Sequence, residues 1–584
     1  MGTTLRDTIQ TLHSVGPIIK RALASGQVFQ PQCELFEPDP DVTCTYGVEI
    51  PASEGYVMTA NVFRSRKATQ RGEAVPVIMC AHPYDNRLTP HQGNTPLNGP
   101  PQQYRIIPQE GKPRFSTLTS WESPDPDYWV QAGYAVVNLN LPGYGGSGGP
   151  PAVFQPSQAR GFHDAIEWVA AQPWCTGSVG LNGVSFLAIS QYGVAAGHGN
   201  GGKPPPSLKA ISPWEGLTDP YRDVFCPGGV PESGFPSFWW TTEVKTALTE
   251  DEDAFVASEG VRPPRYAATH PVLDEWWHAK TPDLSKITVP MLVCASFSDH
   301  NLHTVGSFRA FREASSEHKW VYTHRGGKWD VYYDPAVQDF TRRFMDCFVK
   351  GERENGFLEV PSVRLEVRAS RDEITAVRDE TEWPPSGTFG ESLYLRADGT
   401  LSDSAATSPS ALTIDAKGGE QRFSYRFTED RELVGPMTLH LQLSLQGDAT
   451  PASDAGFCVY VFKRDAGGNQ VPFRGSVGST NDPITRGYGR AAMRALDDER
   501  STPLSPTLRG TELEPLEAGE VVSVPIALWE SATFFEGGSS LELLVATYEA
   551  VPSPPYAKDL SFNEGRVEVH VGGDHGSRLV VPRR

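Results

Sequence analysis

A serine hydroxyl attacks a carbonyl only when the backbone presents it, a base takes its proton and an acid orients that base. The segment VGLNGVSFLAISQY meets the first condition, because an apolar strand runs into Gly183-Val184-Ser185 and a helix leaves it. Such a sharp strand-to-helix turn exposes the serine Oγ, and small neighbours relieve its crowding. The N-terminus of the departing helix favours developing negative charge, and the backbone N–H of Phe186 is expected to point at a forming oxyanion. The usual second glycine of G-x-S-x-G is missing, since Leu187 stands two residues after the serine. The chemistry expected is acyl transfer to Ser185.

In α/β-hydrolases the acid and then the histidine follow the serine, each in a loop after a later strand. Asp299 ends the strand-like MLVCASFSD, and His324 ends the next strand-like run, KWVYTH, 25 residues later. With one helix between them, both fall on the C-terminal edge of the sheet, the edge that carries Ser185. His300 and His303 adjoin Asp299 on the same loop and end no strand of their own. His163 lies inside a helix ahead of the nucleophile, and His82 also precedes it. These four read as structural or surface histidines, so the expected triad is Ser185, Asp299 and His324.

The elements around these residues alternate. TYGVEIP and YVMTANVFR flank SEG as a hairpin, VPVIMCAHPY is a buried strand, and a Pro/Gly-rich loop follows to about residue 124. Then PDYWVQAGY, AVVNLNL, RGFHDAIEWVAAQ, GSVGLNGV, FLAISQYGVAA and LKAISPW read helix, strand, helix, strand, helix, strand. That order predicts a mostly parallel sheet with helices on its faces. Beyond residue 355, short alternating segments such as MTLHLQLSLQ and FCVYVFKRD predict an all-β sandwich or jelly roll. The expected organisation is an N-terminal helical arm (1–45), an α/β-hydrolase core in two parts (46–215 and 285–354), a helical cap inserted at 216–284, and a C-terminal jelly-roll domain at 355–584.

Several segments resemble the family of cocaine esterase, α-amino-acid ester hydrolase and X-Pro dipeptidyl-peptidase. GVSFLAISQ is similar to its nucleophile segment, HPYDN to its N-P-Y-D segment, and WVAAQPWCTGSVGLNG to the run that leads into its serine. LPGYGGSGG resembles its R-G-x-G-x-S-x-G turn, with Pro142 where Arg is usual, and GYGRAAMRALD resembles a segment of its C-terminal half. The resemblance implies the hydrolase core, cap and jelly roll. It also implies a second oxyanion donor, a tyrosine hydroxyl, which here would be Tyr84.

Substrate selection is less legible. Family members that recognise an α-ammonium group use acidic residues near the site, and Glu215, Asp219 and Asp223 follow the strand after the nucleophile. Trp214, Trp239, Trp240, Trp276 and Phe297 are candidates for an acyl or aryl pocket. The expected substrate is a small-molecule ester, with an X-Pro peptide, another amide or a β-lactam side chain as the alternative. A hydrolase-fold protein that binds or isomerises a metabolite is the reading from another class. No metal or cofactor is required.

Composition bounds the partners. With 51 basic and 71 acidic residues the net charge is −20, which argues against nucleic acid or an anionic membrane as partner. The eight cysteines form no CxxC pair or metal-ligand cluster, and the N-terminus shows no secretory h-region. A cytoplasmic enzyme is expected, with homo-oligomerisation left open.

Overall fold

The computed structural model describes residues 33–86, 111–446 and 453–584, together with Gly16 and Lys20. Most of the expected N-terminal arm and much of the long loop before residue 124 lie outside these residues. The described end of the arm, residues 33–45, carries a short strand at Glu34–Phe36 and the start of the strand Val42–Pro51 rather than helix. Among the described residues, no helix is long and apolar enough to cross a membrane.

The first strands of the main sheet are β1 (Val42–Pro51) and β2 (Val57–Ser65), the hairpin read from the sequence. They are followed by β3 (Val75–His82), α1 (Pro126–Gln131), β4 (Ala135–Asn140), α2 (Pro156–Ala170), β5 (Cys175–Val184), α3 (Phe186–Ala195) and β6 (Leu208–Trp214). After the cap come β7 (Met291–Ser296), α4 (Thr304–Glu313), β8 (Lys319–His324), α5 (Lys328–Tyr332) and α6 (Pro335–Met345). Two further strands, β9 (Val363–Arg368) and β10 (Ile374–Glu380), complete the sheet edge. The order across the sheet is β1-β2-β4-β3-β5-β6-β7-β8-β9-β10, parallel from β4 to β9. β9 lies beyond the boundary expected at 354, yet it pairs with β8 and extends the hydrolase sheet.

The parallel strands are buried on both faces, which is why they read as apolar runs rather than as alternations. Neighbouring residues nevertheless point to opposite layers. Val77 and Met79 join the core under α2 and α3 with Phe162 and Ile166, while Ile78 joins Phe344, Met345 and Trp320 on the α6 side. Pro at the first helical position starts α1, α2 and α6, and in α6 the Asp334 side chain also caps the N–H groups of Ala336 and Val337.

Between β6 and β7 the chain forms short helices, including Gly234–Trp239, Glu252–Glu259 and Glu275–His278. The C-terminal domain is a two-sheet sandwich. One sheet holds Glu420–Arg426, Ser540–Ala546, Gly456–Arg464 and Thr485–Arg490 in antiparallel order. The other is built on Arg431–Gln446 and Val522–Phe535. Leu439, Leu443, Phe423, Val459 and Leu541 share the core between the two sheets.

Candidate active site

Strand order reverses at β3, with β4 on one side and β5 on the other, so the ends of β3 and β5 open side by side at a switch point. Ser185 leaves β5 with φ 60° and ψ −117°, and its N–H is held by the carbonyls of Trp214 and Glu215 at 3.1 and 3.2 Å. Gly183 has φ 151°, and a Cβ there would stand 2.6 Å from Leu187 Cβ. The leucine that replaces the second glycine of the motif fits because the first glycine leaves it room. Phe186 is the first residue of α3, so its N–H has no acceptor within the helix.

Tyr84 follows β3 by two residues. Its N–H donates to His82 Nδ1 at 3.1 Å and the two rings stack, which fixes the tyrosine beside the elbow. Burial pushes the His82 imidazole down to about 4, so it serves there as a neutral acceptor. Trp239 Nε1–H donates to the Tyr84 oxygen at 3.0 Å, which leaves the phenol proton free to be donated elsewhere. Burial, with Glu243 and Glu122 nearby, raises the phenol well above its ordinary range and keeps it protonated.

The acid and the histidine closest to the serine come from a single turn. The N–H groups of Leu302 and His303 donate to the Asp299 carbonyl at 3.2 and 3.1 Å, a helical turn that leads into α4. Four residues apart, Asp299 and His303 face the same side. His303 Nδ1 is 2.5 Å from Asp299 Oδ2, and His303 Nε2 is 3.3 Å from Ser185 Oγ. Burial, with the Lys328 ammonium adding to it, holds the imidazole below its usual range. Burial alone would raise the Asp299 carboxyl, but Lys328 and His303 outweigh it and hold the group well below the usual carboxylate range.

His324, the histidine expected from the sequence, sits elsewhere. It is still paired in the sheet opposite Ser296, so its ring lies below the edge rather than over the serine. Its Nδ1 accepts from Gly326 N–H at 3.1 Å, which leaves the ring proton on Nε2, 3.1 Å from Glu215 Oε1. The ring stacks on Trp214 at 5.9 Å. His300 is also turned away, with Nε2 3.2 Å from the Glu530 carbonyl.

A cavity opens beside Ser185. Its walls are Tyr84 and Glu122 from the core, Trp239 and Glu243 from the cap, Glu215 and Lys328 from the strand ends, and Arg474 and Tyr556 from the C-terminal domain. A smaller aromatic recess touches Ser185 and His303 and is lined by Phe154, Phe186, Phe225 and Trp239. Burial raises the Glu122 carboxyl to about 8; Lys328 opposes that shift, while Glu243 and Glu215 add to it.

Of the substrate candidates, Glu215 and Trp239 line the cavity. Trp214 lies beneath it, packed on Tyr322 and Tyr332. Trp240 packs on Phe255 within the cap, and Phe297 packs against the stacked pair Phe308 and Trp383, so both serve as core. Asp219 and Asp223 are taken up by Arg222 and Arg309 at 2.7 and 2.8 Å. In the sequence His303 reads as a structural or surface histidine, and Lys328, Glu122, Glu243, Arg474 and Tyr556 were not anticipated. The Asp-x-x-x-His spacing of 299 and 303 was the available signal for His303; nothing local marks the others.

Residues 54–329 match the X-Pro dipeptidyl-peptidase (S15 family) domain, and residues 355–580 match the X-Pro dipeptidyl-peptidase C-terminal non-catalytic domain. Cocaine esterase from Rhodococcus sp. (strain MB1 Bresler) is 23% identical over 623 residues, covering 93% of this chain and 99% of that protein. The crystal structure of a CocE/NonD family hydrolase from Staphylococcus aureus matches with a TM-score of 0.82 and 30% identity, covering 93% of this chain and 94% of that one. An α-amino acid ester hydrolase shares the fold, with a TM-score of 0.66 at 16% identity over 93% of this chain and 97% of its own. The resemblance read from the nucleophile and HPYDN segments is borne out. The chain belongs to the CocE/NonD family of hydrolases, with an S15-family catalytic domain joined to the C-terminal domain that accompanies it.

Proposed function

We propose that the chain hydrolyses carboxylic esters through an acyl-enzyme on Ser185, with His303 as general base and Asp299 as the acid that orients it. The observation that carries this reading is the continuous contact from Ser185 Oγ through both ring nitrogens of His303 to Asp299 Oδ2, at 3.3 and 2.5 Å. His303 Nε2 takes the serine proton as Oγ attacks the ester carbonyl. The tetrahedral oxyanion receives the Tyr84 O–H and the Phe186 N–H. His303 then protonates the leaving alcohol, and in the second half-reaction it activates water against the acyl-enzyme.

A fluorophosphonate probe and p-nitrophenyl ester turnover test the assignment. Labelling is expected to vanish in Ser185→Ala. His303→Ala is expected to lower turnover by about 10²–10⁴-fold, the range for a lost general base. His324→Ala is expected to stay within about tenfold of wild type, a far smaller loss than a missing base produces. The reverse ranking of the two histidines would give the base to His324 and overturn the assignment.

A second reading, a peptide or amide substrate with a free ammonium group, is favoured by the carboxyl groups of Glu122, Glu215 and Glu243 around the cavity. Xaa-Pro-p-nitroanilides compared with neutral p-nitrophenyl esters separate the two readings. Higher kcat/KM on the anilides would select the peptidase.

A further inference from the structure

A second layer of charge sits behind the imidazole of His303. Lys328 Nζ lies 2.7 Å from Asp299 Oδ2 and 3.1 Å from His303 Nδ1, so lysine and imidazole share one carboxylate oxygen. On its other side the ammonium is 3.9 Å from Glu215 Oε2, and Glu215 Oε1 faces His324 Nε2. Local structure does not favour either position. Lys328 is the first residue of α5, where the helix dipole disfavours a cation. Glu215 holds φ 51°, a region that side-chain-bearing residues seldom occupy. Both side chains are largely withdrawn from water, with 16% and 1% of their surface exposed.

With His303 neutral, Asp299, Lys328 and Glu215 carry −1, +1 and −1, the same net charge as a single aspartate behind a histidine. Without the lysine the imidazole would face two carboxylates; without the glutamate it would face a neutralised one. We propose that Lys328 is a positioning residue of this site: its ammonium ties the Asp299 carboxylate to His303 and, balanced by Glu215, sets the charge against which the imidazole takes up a proton. This rests on Ser185, His303 and Asp299 being the reacting set. The other ionisable groups around the cluster are Glu122 and Glu243 across the cavity, His324 behind Glu215, and Tyr84, Tyr556 and Arg474 on the walls. They are common to every variant below, so differences between variants isolate the lysine and the glutamate.

The direction follows from the sign of the charge. Removing the ammonium favours the imidazolium, so His303 keeps its proton to higher pH and the base is lost sooner on acidification. Removing the Glu215 charge does the opposite. The test is kcat/KM against pH for p-nitrophenyl acetate in wild type, Lys328→Met, Lys328→Arg and Glu215→Gln. The acid limb of Lys328→Met is expected to move up by about one pH unit or more, the scale of a charge within hydrogen-bond distance. Lys328→Arg, which keeps the charge, is expected to leave the limb in place, and Glu215→Gln is expected to move it down. Should Lys328→Met not fold, as judged by circular dichroism, a lowered limb in Glu215→Gln beside an unmoved one in Lys328→Arg decides. An unmoved or lowered limb in folded Lys328→Met, or an unmoved limb in Glu215→Gln, overturns the proposal. His303→Ala separates the two levels. If it retains wild-type turnover, the triad reading fails and takes the proposal with it; if it is inactive while Lys328→Met keeps its limb, the proposal fails alone.

Discussion

Among the described residues, five that are not glycine have positive φ: Asp85, Glu122, Phe154, Ser185 and Glu215. Each such conformation costs about 1–3 kcal/mol, and such residues persist where the surroundings over-determine them. All five border the candidate site. Asp85 follows Tyr84; Glu122, Ser185 and Glu215 line the cavity; Phe154 lines the recess. Strain gathered in this way marks side chains held for their direction, and Tyr84, which precedes strained Asp85, is the neighbour whose role is easiest to test. Tyr84→Phe removes the O–H donor and, with the same oxygen, the acceptor of Trp239 Nε1–H. We expect kcat on p-nitrophenyl esters to fall about 10²–10³-fold with KM nearly unchanged, the loss typical of one oxyanion donor. A loss below threefold would remove Tyr84 from that role. Ser185, Asp299 and Tyr84 were legible in the sequence because strand ends and a family segment mark them. His303 was not, since an Asp-x-x-x-His spacing gains meaning only once the loop after β7 is known to wind into α4. His324 drew attention by ending a strand, but a residue still paired in the sheet cannot rise over the serine.

At the scale of elements, the alternation of apolar strands and amphipathic helices was enough to give the sheet, its parallel middle and the cap between β6 and β7. The sequence pattern did not reveal that β9 adds to the hydrolase sheet. Its alternation, VRLEVR, is the same as that of the sandwich strands, and only hydrogen bonding to β8 assigns it. The elbow between β5 and α3 depends on a reciprocal fit: Leu187 fills the space that Gly183 leaves, in place of the small residue usual at that position. Gly183→Ala therefore sets a methyl 2.6 Å from Leu187 Cβ at φ 151°. Overpacking of this kind costs about 1–3 kcal/mol. We expect a lower midpoint in thermal unfolding together with slower fluorophosphonate labelling, because the strain is relieved by moving the turn that carries Ser185. An alanine variant with wild-type stability and labelling would show that the turn has slack.

At the scale of the whole molecule, the C-terminal domain acts as a brace for the strand ends. Arg325, next to His324, donates to the carbonyls of Pro483, Ile484 and Arg474, and so bolts the chain that carries Lys328 onto the sandwich. Tyr488 donates to Asn301 Oδ1 at 2.9 Å, and Ser476 Oγ donates to the Ser298 carbonyl, so the turn with Asp299 and His303 is held from the same side. The cap is tied in by Glu232, which accepts from the N–H groups of Gly234, Phe235 and Ala557 and pairs with Lys558; neither charged side chain of that pair is exposed. One carboxylate thus fixes the start of the helix that carries Trp239 and the segment that carries Tyr556, both of which line the cavity. Breaking a buried pair from one side strands a charge, at a cost of about 3–5 kcal/mol. Lys558→Met is therefore expected to lower the denaturant midpoint strongly, and Glu232→Gln/Lys558→Met to recover much of that loss because no charge is left uncompensated. KM on p-nitrophenyl esters should rise in Lys558→Met, since both walls lose their common anchor. A double variant less stable than Lys558→Met would mean that the hydrogen bonds of Glu232, rather than its charge, hold the cap to the sandwich.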